Sequence, residues 1–178
     1  DRMSLLSTEN AFNVLAKANK LESEGREIVH LEIGQPDFAT PANIIEAAYK
    51  AMKEGYTGYT PAPGLIETRE AIAEYCLRYK NVKTDIDEIV VVPGGKPIMF
   101  YTMLTLINPG DEVIYPNPGF PIYESYIRFA GGIPVPMPLL EENEFSFDVE
   151  KLKELITDKT KLIIINSPSN PTGGVIPK

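Results

Sequence analysis

The chain has 178 residues and 43% hydrophobic content, enough for one domain with a sizeable core. Its 17 basic and 25 acidic residues give a net charge of −8, and no basic run stands out, which argues against nucleic acid and anionic membranes as partners. The single cysteine excludes an internal disulfide, and the single histidine, His30, leaves little material for a zinc site or a Ser-His-Asp triad. With no stretch long enough to span a membrane, we expect a cytoplasmic protein without a bound metal.

The hydrophobic pattern predicts helices and strands that alternate along most of the chain. Residues 1–9 are polar and are interpreted as an arm. Helices are predicted over residues 10–24, 41–54 with Thr40 as cap, 66–79, 97–107, 121–130 and 149–157. Strands are predicted over residues 28–33, 89–92, 112–115, 133–137 and 161–166. This alternation is typical of an α/β fold with a largely parallel sheet.

Two of the helices carry marked apolar surfaces. The run Ile98 to Ile107 is apolar almost all round, which predicts a largely buried helix. Ile45, Tyr49 and Met52 form an apolar stripe on the helix that starts at Pro41. Cys76 lies in a helical pattern and is interpreted as a buried thiol.

A glycine turn between the strand at 89–92 and the next helix predicts an anion site. Gly94 and Gly95 allow backbone N–H groups to approach an anion closely, and the helix N-terminus favours its negative charge. A tight turn with no ligand is an equally good interpretation of this motif alone. The turn lacks the earlier glycine and the following Ser/Thr of a P-loop, and the chain contains no G-x-G-x-x-G, so ATP or NAD is not expected.

Three loops should lie together at one edge of the predicted sheet. They cover residues 93–96, 116–121 and 167–174, and each follows a strand. Ligands of parallel α/β sheets bind outside the carboxyl ends of the strands, so these loops are the expected binding region.

Several motifs in these loops and before them resemble the fold-type I pyridoxal-phosphate-dependent aminotransferases, the class I/II, aspartate aminotransferase-like family. Asn170-Pro-Thr-Gly173 resembles the Asn-Pro-Thr-Gly motif of that family. The other stretches that agree, in the family's order, are Gly34-Gln-Pro-Asp-Phe38, Tyr59-Thr-Pro-Ala-Pro-Gly64, Arg69-Glu-Ala-Ile72, Gly94-Gly-Lys96, Asn108-Pro-Gly-Asp-Glu112 and Pro116-Asn-Pro118 to Tyr123. The resemblance covers nearly the whole chain and implies a three-layer αβα fold.

The resemblance also implies a role for each matching residue around pyridoxal 5'-phosphate. Gly94, Gly95 and Lys96 would bind the phosphate, Phe120 would stack on the pyridine ring, and Asn170 would bond the phenolic oxygen and orient the substrate carboxylate. The remaining matches are Gly34 beside the substrate carboxylate, the Lys96 side chain on a distal carboxylate, and Tyr59 at the cofactor phosphate of a neighbouring subunit, which implies a homodimer. Phe120 and Tyr59 are also compatible with simple packing, and Lys96 with a backbone role alone.

The lysine that forms a Schiff base with the cofactor in this family has no match within residues 1–178. We therefore expect no catalytic residue in this chain and interpret it as an N-terminal fragment, inactive alone. Residues 1–30 are expected to be an arm and helix of the small domain, and residues 31–178 the first part of a truncated cofactor-binding large domain.

The function implied for the full-length protein is transfer of an amino group between an L-amino acid and a 2-oxo acid. Two alternatives remain at this point. The first is another reaction on the same fold, such as that of a carbon–sulfur lyase or an aminocyclopropane-carboxylate synthase-like enzyme. The second is a non-catalytic cofactor-binding module, such as the effector domain of a transcription regulator. It is disfavoured because residues 1–30 leave no room for a basic DNA-binding domain.

Overall fold

The computed structural model describes residues 2–6 and 10–177 and has an α/β fold, as predicted. The helices lie close to their predicted bounds: α1 Asn10–Ser23, α2 Ala42–Lys53, α3 Ile66–Lys80, α4 Gly95–Leu106, α5 Ile122–Ala130 and α6 Val149–Leu155. The strands are β1 Glu112–Asn117, β2 Ile133–Pro138 and β3 Thr160–Ile163, and short 3-10 turns occupy Arg2–Leu5, Ile86–Glu88 and Glu141–Asn143.

The three strands form one parallel sheet in the order β2-β1-β3. Ile114 of β1 lies opposite Val135 of β2 on one side and Ile163 of β3 on the other. Because the strands are parallel, their carboxyl ends meet at one edge. The loops that follow β1 and β3 therefore begin side by side at this edge.

The core lies on both faces of this sheet. Successive residues of a strand point to opposite faces, and Val113 and Ile114 are both fully buried. Val113 packs in a cluster with Met103, Ile107, Ile127 and Ala130, which come from α4, the residue after it, and α5. Ile114 packs on the other face with Met137 and Leu139, and partly buried residues of α6 cover that cluster. Helices on both faces give the three layers that the sequence predicts.

Two predicted strands do not form. The stretch 28–33 forms no strand and bends at residues 32 and 33, and Val29 and Leu31 are 81% and 87% exposed. The stretch 89–92 is likewise not part of the sheet, with Val90 64% exposed. Alternating or β-branched residues favour an extended backbone, but a strand also requires a neighbouring strand to accept its hydrogen bonds, and neither stretch has one among the described residues.

The apolar faces of two helices are more exposed than predicted. In α4, Met103 is buried, but Ile98 and Tyr101 are more than half exposed. In α2, no described residue is buried, and the expected stripe faces solvent. Pro41 lies just before α2 rather than at its first position, and no side chain caps this helix. The thiol of Cys76 is only partly buried.

The chain divides into two compact units, Ile33–Gly95 and a second that combines Asp1–Glu32 with Lys96–Lys178. The predicted domain division at residues 30 and 31 stays a prediction. Within the predicted arm, Arg2–Leu5 forms a 3-10 turn against α5, while residues 1 and 7–9 lie outside the described part of the chain. Across residues 2–6 and 10–177, none of the helices has the length and apolar character that crossing a membrane requires.

Candidate functional site

The glycine turn has the geometry of an anion-binding helix start. Gly94 has a φ of +89°, a left-handed conformation that glycine adopts without strain, and α4 begins at the next residue. Gly95 and Lys96 are the first two residues of α4, where backbone N–H groups are directed out of the helix end, and Pro97 has no N–H. A Cβ atom at either glycine would meet no described atom within 4 Å, so space for a ligand adjoins the turn.

The side chain of Lys96 lies near the aromatic loop that follows β1. Its ammonium nitrogen is 5.9 Å from the centroid of the Phe120 ring, within the range of a cation–π contact. The Phe120 ring also meets the Tyr123 ring edge to face, with centroids 6.0 Å apart and planes at 89°. Burial raises the pKa of the Tyr123 hydroxyl. The structure thus places a positive charge beside an aromatic ring at the carboxyl edge of the sheet.

The aromatic loop is held in a tight turn. A Cβ atom at Gly119 would collide with the carbonyl oxygen of Pro116, so only glycine fits there. Tyr115 of β1 donates a hydrogen bond to Glu124, 3.3 Å away, and Arg128 pairs with the same carboxylate at 2.8 Å. Burial, with the nearby Glu124 carboxylate, raises the pKa of Tyr115. These contacts fix the loop that carries Phe120.

The loop that follows β3 is fixed by its own backbone. The Asn166 side-chain oxygen accepts a hydrogen bond of 2.7 Å from the backbone N–H of Asn170. Ser169 donates from its N–H to the Gly174 carbonyl at 2.8 Å and accepts from the Gly173 N–H at 2.7 Å. The Asn170 residue itself is exposed. An exposed amide on a fixed loop is well placed to bind a ligand at the sheet edge.

Some of the predicted site residues lie close together within one compact unit, and others belong to the second unit. Lys96 and Phe120 are in contact range, and Gly94 and Gly95 directly precede Lys96 in the chain. Asn170 follows the strand next to the one that leads to Phe120. Gly34 and Tyr59 belong to the unit Ile33–Gly95, where both are exposed and Tyr59 is fully so. Their predicted roles stay predictions.

Two residues that shape these loops were not among the predicted site residues. Asn166 lies at the predicted end of a strand, and a polar residue there signals a loop that a side chain could fix. Gly119 follows the Pro116-Asn117-Pro118 sequence, which indicates a turn but not how closely the backbone returns on itself. Both residues act on the backbone of a loop, which a motif search for ligand-binding side chains does not detect.

The residues present fit pyridoxal phosphate at two of its parts. The open turn at Gly94 and Gly95, with the N-terminus of α4, suits a phosphate dianion. The partly exposed Phe120 ring offers an apolar surface to a pyridine ring, and the Lys96 ammonium adds positive charge beside it. The donor set is therefore compatible with a phosphorylated aromatic cofactor.

Comparison with known proteins identifies the family of the chain. Residues 26–178 match the family model "Aminotransferase class I and II". The chain belongs to this family.

Individual relatives agree across nearly the whole chain. A probable aspartate/prephenate aminotransferase from Aquifex aeolicus is 42% identical over 174 residues, which is 98% of this chain and 44% of that protein. A (5-formylfuran-3-yl)methyl phosphate transaminase from Methanocaldococcus jannaschii is 46% identical over 168 residues, 93% of this chain and 42% of that protein. The solved structure of an aspartate aminotransferase from Thermus thermophilus with maleate superimposes with a TM-score of 0.95 at 40% identity. That match covers 99% of this chain and 46% of the other, so the chain spans less than half the length of these relatives.

Proposed function

We propose that this chain forms the N-terminal part of a pyridoxal-phosphate-dependent aminotransferase that moves an amino group between an L-amino acid and a 2-oxo acid. The observation that carries the proposal is the open, left-handed glycine turn at the start of α4, with the Lys96 ammonium 5.9 Å from the Phe120 ring. Family membership and the names of the relatives support the reaction class. The cytoplasmic location stays a prediction.

Each residue has a binding or positioning task in this proposal. The amides of Gly95 and Lys96 bind the phosphate, and Gly94 supplies the turn that directs them outward. Phe120 covers one face of the pyridine ring, and Asn170 donates a hydrogen bond to the phenolic oxygen. When bound, the cofactor supplies the aldehyde and the electron-withdrawing ring on which amino-group exchange depends.

Some of the same residues would also bind the substrate. Asn170 and the backbone near Gly34 bind its carboxylate, and the Lys96 ammonium adds attraction for a second carboxylate in an acidic substrate. Tyr59 extends to the cofactor phosphate of a second subunit, so the working protein is a homodimer. The exposed position of the Tyr59 side chain supports a role outside its own subunit.

The activity is tested with the full-length protein, L-aspartate as amino donor and 2-oxoglutarate as acceptor. Formation of glutamate that requires both substrates and added pyridoxal phosphate supports the proposal. Product from the amino acid alone, without an oxo acid, identifies a lyase on the same fold and contradicts it. A broader panel of amino acids then defines the donor.

The cofactor site is tested by Phe120→Leu, with Phe12→Leu as a matched control. Phe12 is 55% exposed on α1 and belongs to none of the three loops. Loss of ring stacking at residue 120 should weaken pyridoxal phosphate binding on the order of tenfold, since an aromatic pair contributes about 0.5–1.5 kcal/mol beyond area burial. Equal affinities for both variants would remove Phe120 from the site.

A further inference from the structure

Gly64 and Val91 form a close junction within the unit Ile33–Gly95. The N–H of Val91 donates a 2.9 Å hydrogen bond to the carbonyl oxygen of Pro63. A Cβ atom at Gly64 would lie 2.9 Å from the Val91 Cβ and 3.0 Å from its Cγ2. Gly64 also has a φ of +101°, a conformation that residues with side chains rarely adopt. The junction therefore requires glycine for two separate reasons.

The stretch that contains Val91 has few other supports, so the junction matters to its position. Residues 89–92 are not paired in the sheet. Their upstream end is held because Ile89 is buried and its N–H donates to the Ile86 carbonyl at 3.2 Å. The buried Arg69 holds that same carbonyl through a 3.0 Å hydrogen bond. Downstream, Val91 is held by the junction, and Val92 is partly buried.

Only two residues separate Val91 from the glycine turn. They are Val92 and Pro93, and the ring of Pro93 fixes its φ. A displacement of Val91 therefore passes to Gly94 and Gly95 with little backbone freedom to absorb it. A shift of this turn changes the direction of the amides at the start of α4.

We propose that the Gly64–Val91 junction positions the Gly94–Gly95 turn for the phosphate of the cofactor. Gly64 and Val91 are positioning residues, since they act through the turn and not on the ligand. The proposal rests on the proposed function, because it concerns the same phosphate site. It adds a determinant of phosphate affinity that lies on a different loop from the turn.

The test is the ratio of affinities for pyridoxal phosphate and pyridoxal, which lacks the phosphate, measured on the full-length protein. Gly64→Ala should weaken pyridoxal phosphate binding roughly tenfold or more, the effect of losing one hydrogen bond to a charged group, and leave pyridoxal binding unchanged. Gly58→Ala is the matched control, because a Cβ there meets nothing within 4 Å and Gly58 lies in the same loop region. It should change neither affinity. A general loss of stability would lower both affinities together.

Val91→Gly separates the steric contact from backbone strain at Gly64. It removes the two side-chain atoms that a Cβ at residue 64 would meet and leaves only the Val91 backbone nitrogen at 3.9 Å, an ordinary contact distance. Gly64→Ala should therefore cost less phosphate-dependent affinity in the Val91→Gly background than in the Val91 background. Equal losses of phosphate-dependent affinity in the two backgrounds would overturn the proposal. An unchanged pyridoxal phosphate to pyridoxal ratio in Gly64→Ala would overturn it as well.

Tyr59 lies near Gly64 in the chain, so its contribution is tested separately. If the junction acts through the turn, Gly64→Ala keeps its effect in a Tyr59→Phe background. If the effect disappears there, it passes through Tyr59 and the inference is wrong. The amide NMR shifts of Gly94 and Gly95 without cofactor should move in Gly64→Ala and not in Gly58→Ala.

The proposed function has its own failure signature. If the unsubstituted protein binds neither pyridoxal phosphate nor pyridoxal, the proposed function fails and the junction fails with it. If it binds pyridoxal phosphate and only the effect of Gly64→Ala is missing, the junction alone fails.

Discussion

The interior of β1 and the stretch Ile89–Val92 are alike in sequence but not in structure. Both are short, apolar and rich in β-branched residues. In β1, Val113 and Ile114 are fully buried, and the strand has a parallel neighbour on each side. In the other stretch, Val90 is 64% exposed, and one hydrogen bond from Val91 reaches a loop instead of a strand. The two stretches have a similar propensity for the β-strand conformation. Their different structures therefore arise from the adjacent strands with which β1 pairs.

The loops that follow these two stretches differ in how closely their backbone is packed. After β1, the chain returns on itself so closely that Gly119 cannot carry a Cβ. After Val92, the glycine turn is open, and a Cβ at Gly95 would meet nothing within 4 Å. The paired strand thus leads to a rigid loop with a fixed aromatic ring. The unpaired stretch leads to an open turn, and Val91 just before it contacts the loop at Pro63 and Gly64.

The largest expected effect compares the same substitution in the two stretches of the 178-residue chain. Val113→Ala should lower the free energy of unfolding by about 2–3 kcal/mol, since it removes two buried methyl groups and leaves a cavity. Val90→Ala should cost less than about 0.5 kcal/mol, as at other exposed sites. Urea denaturation measures both values. Equal losses would show that Val90 is packed as tightly as Val113.

The two loops are compared by adding a methyl group to each. Gly119→Ala should destabilise the chain by about 1–3 kcal/mol, because the Pro116 carbonyl must move. Gly95→Ala, at the first residue of α4, should be nearly neutral for stability. Thermal unfolding of the two variants tests this. A neutral Gly119→Ala would show that the aromatic loop is looser than the structure describes.

Helix starts in the two units give a smaller contrast. The carboxylate of Asp148 caps α6 by accepting from the N–H groups of Glu150 and Lys151 at 2.8 and 3.4 Å. Asp148→Ala should therefore cost about 1 kcal/mol. Thr40→Ala should be close to neutral, because no side chain caps α2. If Thr40→Ala lowers the free energy of unfolding as much as Asp148→Ala does, Thr40 caps α2 as the sequence predicts.

The smallest effect concerns pH and the segment that follows α1. His30 lies 2.6 Å from the Glu32 carboxylate and 3.4 Å from that of Glu22. The hydrogen bond with Glu32, ahead of the contribution of Glu22, raises the pKa of His30 above 6.5, and the same bond lowers the pKa of Glu32 below 4.5. The His30 contribution to stability is therefore full below pH 6.5 and is lost as pH rises through its folded pKa. The Glu32 contribution is full above pH 4.5 and is lost as pH falls.

Because His30 is the single histidine, an NMR titration of its ring requires no assignment. Glu32→Gln should lower the pKa of His30 more than Glu22→Gln does. A larger effect of Glu22→Gln would show that Glu22 on α1 is the main partner of His30.

The sequence was a sufficient guide to the helices and to the paired strands. Asp148 before an apolar run and Gly131 after one indicate where helices begin and end, and such signals are local. The sequence could not predict that residues 89–92 form no strand or that Ile98 and Tyr101 are exposed. Both outcomes depend on which other parts of the folded chain pack against these residues. At the candidate site, the motif at Gly94 predicts the turn, while the hydrogen bond from Asn170 to Asn166 requires the folded loop.

The most direct test of the central claim is a crystal structure of the full-length protein grown with pyridoxal phosphate. The account predicts that the phosphate accepts hydrogen bonds from the amides of Gly95 and Lys96, that Phe120 lies against the pyridine ring, and that Asn170 contacts the phenolic oxygen. A cofactor bound elsewhere, with the glycine turn facing only solvent, would contradict it.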